Sequence, residues 1–396
     1  MRLGIGLWRS KLVVVVEMRF LFASDSFKGT ISSARAMELL SRSAREVFPN
    51  AETHGVAVAD GGEGTVDAVV AATGGSMRAV RVRGPRGDEV NAEYGLLPGG
   101  RAIIEMAAAS GLPLLDASQR DPRKTSTWGT GELIVDALDQ GVESITLAIG
   151  GSATNDGGMG CMQALGVRFL GEGGVVLDGV GADLARVRSI DLSGLDARIA
   201  QTEFFVMCDV DNPLLGRRGA TRVFGPQKGA SPDVVEDLER GMENYAHVLE
   251  TTVLEFEASA PGMGAAGGLG AASSAFLHAT MLPGIEQMLD LVNFDQLLQG
   301  CDLCVTGEGH ADAQSAHGKV ISGIAARCKA AGVPCVAVVG GMDSDACDLL
   351  GCGVDALVPC VIDVCTLDDA FAQSERNYTL AAQRLFTLLR LGMGLA

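Results

Sequence analysis

Apolar and polar positions alternate along the first part of the chain in a way that predicts strands followed by helices. Phe20–Ala23 forms a short apolar run typical of a strand, and the stretch from Ser32 to Val47 has helical periodicity. A second apolar run at Val56–Ala59 predicts another strand, and a further helix is expected to open near Gly64. Strand and helix in succession indicate parallel βαβ units.

The last hundred residues show the same alternation. Strands are predicted at Leu303–Thr306, Cys335–Val339 and Ala356–Val358, and helices near Ile321–Ala331 and Tyr378–Leu389. Because both ends of the chain alternate in the same way, we expect them to contribute to one doubly wound parallel sheet.

The middle of the chain has a different texture, with apolar runs separated by glycine-rich loops. Val80–Leu97 predicts short strands around a turn at residues 84–87, and further strands are predicted at Arg101–Ala109, Ile145–Ile149 and Glu203–Cys208. If the two ends share a sheet, this middle region must be an insertion that forms a second domain.

The predicted fold class is therefore α/β, with a Rossmann-like doubly wound parallel sheet domain split by an inserted second α/β domain and a cleft between the two. We place the Rossmann-like domain at residues 18–78 and 290–396 and the inserted domain at residues 79–289. Residues 1–17 are expected to be an extension outside the fold, because Met18 itself begins a convincing first strand.

Bulk composition excludes several classes of partner. The formal charge of −18 and the lack of any Lys/Arg run argue against nucleic acid and against an anionic membrane surface. The apolar run Val13–Val16 is too short to span a bilayer. Ten cysteines lie scattered without disulfide-like spacing, which favours a reducing cytoplasm. Anion binding would therefore require cations placed locally.

The most informative segment is residues 302–319. There an apolar strand runs into glycines that carry Glu308, Asp312 and Lys319. Two acids and a cation beside flexible backbone are suited to a phosphate and its magnesium ion, because Mg²⁺ prefers oxygen ligands.

Two further loops of this type follow the predicted strands of the first part. Asp25, Ser26 and Lys28 lie directly after the first strand, where ligands bind in open parallel sheets, and Lys28 could reach a phosphate. The loop at residues 60–65 offers Asp60 and Glu63 between glycines, followed by a helix start whose free N–H groups favour anions. Its candidate binding residues also include Gly61, Gly62, Gly64 and Thr65. Capping and turn roles are the alternative for both loops.

The middle region supplies three more candidate sites. The loop at residues 150–156 offers Ser152, Asn155 and Asp156 as hydrogen-bonding groups. Asp209 would share one face of an extended segment with Asp211, and Lys228 in a Gly-Pro-Gln-Lys-Gly turn could clamp an anion. Ordinary turn acids and an exposed turn lysine explain these last residues equally well.

The dinucleotide fingerprint at residues 262–267 does not follow a predicted strand, so we treat it as a chance match. Without it, an NAD-dependent oxidoreductase has no support. The chain also lacks Gly-x-x-x-x-Gly-Lys-Ser/Thr, which makes an ordinary P-loop ATPase improbable.

Taken together, the motifs Asp25-Ser-Phe-Lys-Gly, Asp60-Gly-Gly-Glu-Gly-Thr, Gly150-Gly-Ser-Ala-Thr-Asn-Asp, Phe224-Gly-Pro-Gln-Lys-Gly and Thr306-Gly-Glu-Gly resemble those of the bacterial type 1 glycerate kinase family. The resemblance covers about residues 18–390, and the order and spacing of the motifs make it specific. It departs from the family pattern at Ser315, where threonine is expected.

The resemblance implies ATP-dependent phosphorylation of D-glycerate, with ATP and Mg²⁺ as cofactors and 2-phosphoglycerate favoured over 3-phosphoglycerate. Asp312, Asp60 and Lys28 are the expected catalytic residues, and Glu308 and Asp209 the expected metal ligands. Alternatives are a kinase of a related hydroxy acid and a non-catalytic sensor of glycerate or nucleotide. Either a monomer or a homodimer is compatible with the sequence.

Overall fold

The computed structural model describes residues 17–27, 29–58, 61–62, 64–312, 315 and 319–395, and it arranges them as an α/β protein with two main sheets. Apart from Glu17, the extension expected at residues 1–17 lies outside the described residues. Among the residues described, no helix has both the length and the apolarity needed to cross a bilayer.

The strands are β1 Arg19–Ser24, β2 Glu52–Gly55, β3 Ser76–Arg83, β4 Glu89–Leu97, β5 Arg101–Glu105, β6 Ser144–Ala148, β7 Arg168–Leu170, β8 Ser189–Asp191, β9 Glu203–Met207, β10 Thr280–Leu282, β11 Leu303–Ala311, β12 Cys335–Met342 and β13 Ala356–Pro359.

The helices are α1 Ser33–Val47, α2 Thr65–Thr73, α3 Ala107–Ser110, α4 Trp128–Asp139, α5 Met159–Ala164, α6 Ala220–Phe224, α7 Pro232–Thr252, α8 Leu269–Leu277, α9 Gly284–Leu291, α10 Phe294–Leu298, α11 Val320–Ala331, α12 Leu367–Ala372 and α13 Ser374–Leu395. Short 3₁₀ turns join several of these helices.

The first sheet has five parallel strands in the order β13-β12-β11-β1-β2. This order is the flavodoxin-like form of the doubly wound arrangement, in which the direction of winding reverses between the first strand and its inner neighbour. The reversal here lies between β1 and β11, and ligands bind outside the carboxyl ends of the strands at such a point. The prediction that both ends of the chain share one parallel sheet is therefore confirmed.

Alternate residues of β1 face opposite sides of the first sheet, as strand geometry requires. Phe20 and Phe22 pack in a cluster with α1 and α13, where the ring centroids of Phe20 and Phe386 are 5.2 Å apart. Leu21 and Ala23 lie in a different cluster, which includes Ile324 of α11. Each fully buried Phe or Leu contributes roughly 1.5–3 kcal/mol, so helices are held firmly on both faces.

The second sheet has six strands in the order β10-β9-β6-β5-β4-β3. Strands β3, β4 and β5 are antiparallel neighbours, and the remaining pairs are parallel, so the sheet is mixed. The predicted short strands around residues 84–87 form the hairpin of β3 and β4, with Arg83 opposite Glu89. A separate antiparallel pair, β7 and β8, lies outside this sheet.

An apolar cluster joins the two sheets. It contains Leu21 from β1, Val66 from α2, Ile103 from β5 and Ile285 from α9, each no more than 4% exposed. Helix α2 packs mainly against β4 and β5 although it directly follows the first sheet along the chain. The loops at the end of each sheet are consequently held against one another.

The strand predicted at Val56–Ala59 is wrong in position, because β2 ends at Gly55. β2 is an edge strand that pairs only with β1, and its residues are half-buried or exposed. Polar Glu52, Thr53 and His54 therefore form the strand, while the apolar Val56 and Val58 that follow are buried in the connection to α2.

Candidate active site

A cavity of about 530 Å³ opens at the carboxyl end of the first sheet, and we call it the sheet-top cavity. Its walls come from the segments that follow β1, from the ends of β11 and β12, and from the chain between β13 and α13. It thus occupies the point where the winding of the sheet reverses. Among the predicted site residues, it brings together Ser26, Glu308 and Lys319.

Glu308 lies near the end of β11 and is 9% exposed. Its Oε1 atom accepts no hydrogen bond from any described residue. Burial raises the pKa of this carboxyl, the nearby charges of Asp25 and Asp312 raise it further, and a hydrogen bond from Ser315 and the charge of Lys319 oppose the rise. An acid in this position gains stability from any cation placed beside it.

The donor set around Glu308 fits a magnesium ion. Within the part of the chain that the structure describes, no group of three His, Cys, Asp or Glu side chains is arranged to hold a metal by itself. Mg²⁺ does not need such a group, because it usually takes one or two carboxylates together with water and substrate phosphates. The unpartnered Oε1 atom of Glu308 can supply one of these ligands.

Lys319 stands immediately before α11 and lines the same cavity. The first N–H groups of this helix have no intrahelical partner, so the positive end of the helix dipole and the lysine charge act together. Ser26 lies across the cavity, where its N–H donates to Oδ1 of Asp25 at 2.6 Å. This part of the cavity can bind an anion that carries its own cation.

Asp312 lies just beyond β11, outside the lining of the cavity but close enough to influence the charge of Glu308. The N–H of Ser315 donates to Oδ1 of Asp312 at 3.1 Å, and the Asp312 N–H donates to Oγ of Ser315 at 3.2 Å. This reciprocal pair forms a tight turn that fixes the carboxylate.

A second cavity, of about 270 Å³, lies between loops from both sheets, and we call it the junction cavity. Gly61 and Gly62 from the first part of the chain meet Ser152, Asp209 and Lys228 there. Gly61 has a φ of 91°, and a Cβ atom at this position would lie 3.2 Å from the Cβ of Met207. The left-handed backbone and the nearby Met207 side chain both favour glycine here.

Lys228 is 1% exposed, and its Nζ donates a hydrogen bond of 2.7 Å to the carbonyl oxygen of Thr154. Burial lowers the pKa of the ammonium to about 7, although the charge of Asp156 opposes the shift. Beside it, the Thr154 hydroxyl and Oδ1 of Asn155 are buried without partners among the described residues. The lysine is thus poised to become a full cation when an anion enters the cavity.

Asp209 does not share a cavity with Glu308, although both were predicted as metal ligands. It lines the junction cavity, where its Oδ1 accepts from the N–H of Gly284 at 2.7 Å and so caps α9. Asp211, its expected companion, is exposed and pairs with Arg218 at 2.6 Å. The structure thus separates the two predicted metal ligands, and a metal role for Asp209 stays a prediction.

Asn155 and Asp156 are fully buried and lie outside both cavities. Asp156 accepts hydrogen bonds from the N–H and the hydroxyl of Thr127, both at 2.8 Å, and from the N–H groups of Gly158 and Gly160. Asn155 donates to the hydroxyl of Thr221 at 3.1 Å. These bonds give both residues structural partners, and the substrate contacts predicted for them stay a prediction.

Gly64 and Thr65 also lie outside the two cavities and start α2. Gly64 has a φ of 86°, and the Thr65 hydroxyl donates to the carbonyl oxygen of Gly62 at 2.7 Å. These two residues hold the loop in place.

Three predicted site residues, Lys28, Asp60 and Glu63, lie outside the described residues.

Phe371, Asn377 and Tyr378 line the sheet-top cavity but were not among the predicted site residues. They come from α12 and α13, which lie far along the chain from any glycine-rich motif. The available signal was a set of apolar residues after β13, among them Val361, Leu367 and Phe371, which are interspersed with aspartates and do not form another strand.

Comparison with known proteins identifies the family. The sequence profile of the Glycerate kinase family matches residues 20–390. Glycerate kinase from Halalkalibacterium halodurans is 45% identical over 365 residues, covering 92% of this chain and 96% of the relative. Glycerate 2-kinase from Escherichia coli is 42% identical over 377 residues, covering 95% and 99%.

A solved structure agrees with these relatives. The crystal structure of a Salmonella typhimurium LT2 protein assigned as glycerate kinase 2 superimposes with a TM-score of 0.86 at 42% identity, covering 96% of this chain and 100% of that one. Family profile, sequence relatives and fold coincide over nearly the whole length. The chain belongs to the glycerate kinase family of phosphotransferases.

Proposed function

We propose that the protein transfers the γ-phosphoryl group of ATP to a hydroxyl of D-glycerate, with 2-phosphoglycerate as the favoured product. The observation that carries this proposal is the pairing of two cavities, one beside a carboxylate with an unpartnered oxygen and one beside a buried lysine. The name of the Escherichia coli relative, glycerate 2-kinase, supports transfer to the 2-hydroxyl.

We propose further that the two sheets are the cores of two domains. The first sheet takes its strands from residues 19–55 and 303–359, and the second takes its strands from residues 76–282. This division supports a Rossmann-like domain at residues 18–78 and 290–396 that is interrupted by residues 79–289. The junction cavity then lies in the cleft between the domains.

The sheet-top cavity is the proposed site of the nucleotide. Its volume falls within the range of about 300–1,000 Å³ that is usual for ligand pockets, whereas the junction cavity is smaller. Lys319 and the start of α11 would hold the phosphates, and Glu308 would hold Mg²⁺. When bound, the metal neutralises charge on the phosphate oxygens.

The junction cavity is the proposed site of the small acid. Lys228 at its base would pair with the carboxylate, and Ser152 would donate a hydrogen bond from the glycine-rich loop. Both side chains are at most 7% exposed, so they would hold the acid in a fixed orientation. Positioning of this kind supplies most of the catalysis in phosphoryl transfer.

Asp312 is the proposed group that orients the substrate hydroxyl and accepts its proton late in the reaction. Its turn with Ser315 supports this role, because the carboxylate is fixed while remaining near Glu308. Asp60 and Lys28 are proposed to assist, on the basis of the sequence motifs alone. Exclusion of water from the cleft would keep ATP hydrolysis low when glycerate is absent.

A coupled assay of ADP release tests the proposal. MgATP with D-glycerate should give turnover, L-glycerate and a no-acid blank should not, and NMR of the product should identify the 2-phosphate. Turnover with another hydroxy acid, but not with D-glycerate, would identify that acid as the substrate instead. Binding without any turnover would instead indicate a sensor.

A further inference from the structure

The sheet-top cavity changes character along its length. Its polar part lies at β1 and β11, where Asp25, Ser26, Glu308 and Lys319 converge. The rest of its wall is largely apolar and includes Phe27, Ile31, Val361, Leu367 and Phe371. Three steps between neighbouring strands separate β1 from β13, a span of roughly 14 Å. The cavity therefore suits an elongated ligand with one anionic end and one apolar end.

The part of the apolar wall that α12 contributes is exposed to water. Leu367 is 68% exposed and Phe371 is 49% exposed, and both belong to α12. All residues of α12 are described, and none of them is buried. The helix is held at its start by Thr366, whose hydroxyl oxygen accepts from the N–H of Asp369 at 3.2 Å. A flat apolar group bound in the cavity would remove these side chains from water.

Asn377 adds a specific polar group to this wall. It lies in the first turn of α13, lines the cavity and is 7% exposed. Its side chain forms no hydrogen bond with any residue that the structure describes. A carboxamide offers two donors and an acceptor, which a ligand in the cavity can pair. The side chain is thus available to a ligand.

We propose that this wall binds the adenine base of ATP, with Phe371 covering the ring and Asn377 pairing with its polar edge; the inference rests on the proposed kinase function. A carboxamide forms two hydrogen bonds with N6 and N7 of adenine. An aromatic side chain stacks on any base, because every base has a π-face. Asn377 would therefore set the choice of base, and Phe371 would add affinity regardless of base.

Two variants of Asn377 test the choice of base. Asn377→Ala should lower kcat/KM for ATP by roughly 5- to 100-fold, the range expected for loss of a bidentate contact, and should lower it little for GTP. Asn377→Asp should raise the GTP/ATP ratio of kcat/KM, because a carboxylate accepts from both N1–H and the amino group of guanine. Thr379→Ala is the matched control, since that hydroxyl donates to the carbonyl of Glu375 at 2.8 Å.

Phe371→Ala provides a second test that does not depend on the folding of the Asn377 variants. Because Phe371 is half exposed, its removal should leave the fold intact, and circular dichroism checks this. Affinity for ATP and GTP should fall by the same factor, whereas affinity for inorganic tripolyphosphate, which has no base, should not change. Unchanged nucleotide affinity would overturn the role of this wall.

Calorimetric titration with each nucleotide in the absence of glycerate separates this inference from the proposed function. Base-dependent binding that changes in the Asn377 variants supports the inference even if glycerate is not phosphorylated. Conversely, folded Asn377 variants that keep the wild-type GTP/ATP ratio would overturn it, whether or not the enzyme turns over glycerate.

Discussion

Lys228 and Thr154 are joined by a 2.7 Å hydrogen bond from the lysine Nζ to a main-chain carbonyl, in a position almost closed to solvent. A neutral amine can still donate this bond, although more weakly than an ammonium. The burial that lowers the pKa of Lys228 to about 7 thus leaves the unliganded protein with a cation that is incompletely charged near neutral pH. Two predictions depend on this relationship.

Lys228→Met should stabilise the unliganded protein, most strongly at low pH. In the unfolded chain the lysine keeps its ordinary pKa, so between about pH 7 and that value the unfolded state binds more protons than the native state. Wild-type stability should therefore rise with pH across this window by up to about 1.4 kcal/mol per pH unit relative to the variant. Urea unfolding of both proteins at a series of pH values measures this, and parallel curves would refute it.

Binding of D-glycerate should cause the protein to take up a proton when the pH is near or above the pKa of Lys228. The carboxylate favours the charged lysine, so up to one proton is taken up. Calorimetry in buffers of different ionisation enthalpy at about pH 8 measures the uptake. Lys228→Met should abolish it and weaken glycerate binding, whereas Lys329→Met, at an exposed position on α11, should do neither.

Glu308→Gln should separate stability from activity. Burial raises the pKa of this carboxyl. Between its pKa in the unfolded chain and its raised pKa in the native protein, only the native state holds the proton. The free energy of unfolding therefore falls as the pH rises through this range. The variant should therefore be at least as stable as wild type at neutral pH, yet lose roughly 100-fold or more in kcat. Thermal shifts with Mg²⁺ and ADP should shrink in it but not in the exposed control Glu250→Gln.

Asp312→Asn should lower kcat by orders of magnitude without loss of folding. Ser315→Ala should cause a smaller loss, because it removes the hydroxyl that accepts from the Asp312 N–H, and Ser315→Thr should restore activity. Steady-state kinetics on the three variants, with circular dichroism for folding, provide the measurement. Near-normal turnover by Asp312→Asn would remove this residue from the mechanism.

Asp156→Ala should lower the free energy of unfolding by about 3 kcal/mol or more, since it leaves the buried donors of Thr127, Gly158 and Gly160 without their acceptor. The KM for glycerate should stay close to wild type in the fraction that folds. Denaturant unfolding and kinetics together test this, and a stable variant with a greatly raised KM would restore Asp156 to the substrate site.

The parallel sheet could be predicted because β1, β11 and β12 are buried on both faces, and strands of this kind contain apolar runs in their sequence. β2 could not be placed correctly because an edge strand carries no such run. The glycines at residues 61–62 were recognised from local chemistry, and they line the junction cavity; their binding role stays a prediction.

The sequence could not show which candidate residues have structural partners in distant parts of the chain. Thr127 donates two hydrogen bonds to Asp156, and Gly284 donates one to Asp209, and neither contact could be read from local spacing. Asn377 carries no motif at all, and only the fold brings it to the cavity beside Phe371. Side-chain roles of this kind depend on tertiary contacts, which local spacing does not encode.

The pairing of β1 with β11 also constrains how the chain can assemble. Phe20 of β1 lies opposite Leu303 of β11 in the register, so β1 lacks its inner neighbour until the ribosome has passed residue 303. Every strand of the second sheet, from residue 76 to residue 282, is synthesised earlier. During translation the inserted region can therefore fold as a unit, while the N-terminal strand must wait for the last quarter of the protein before both its edges are covered.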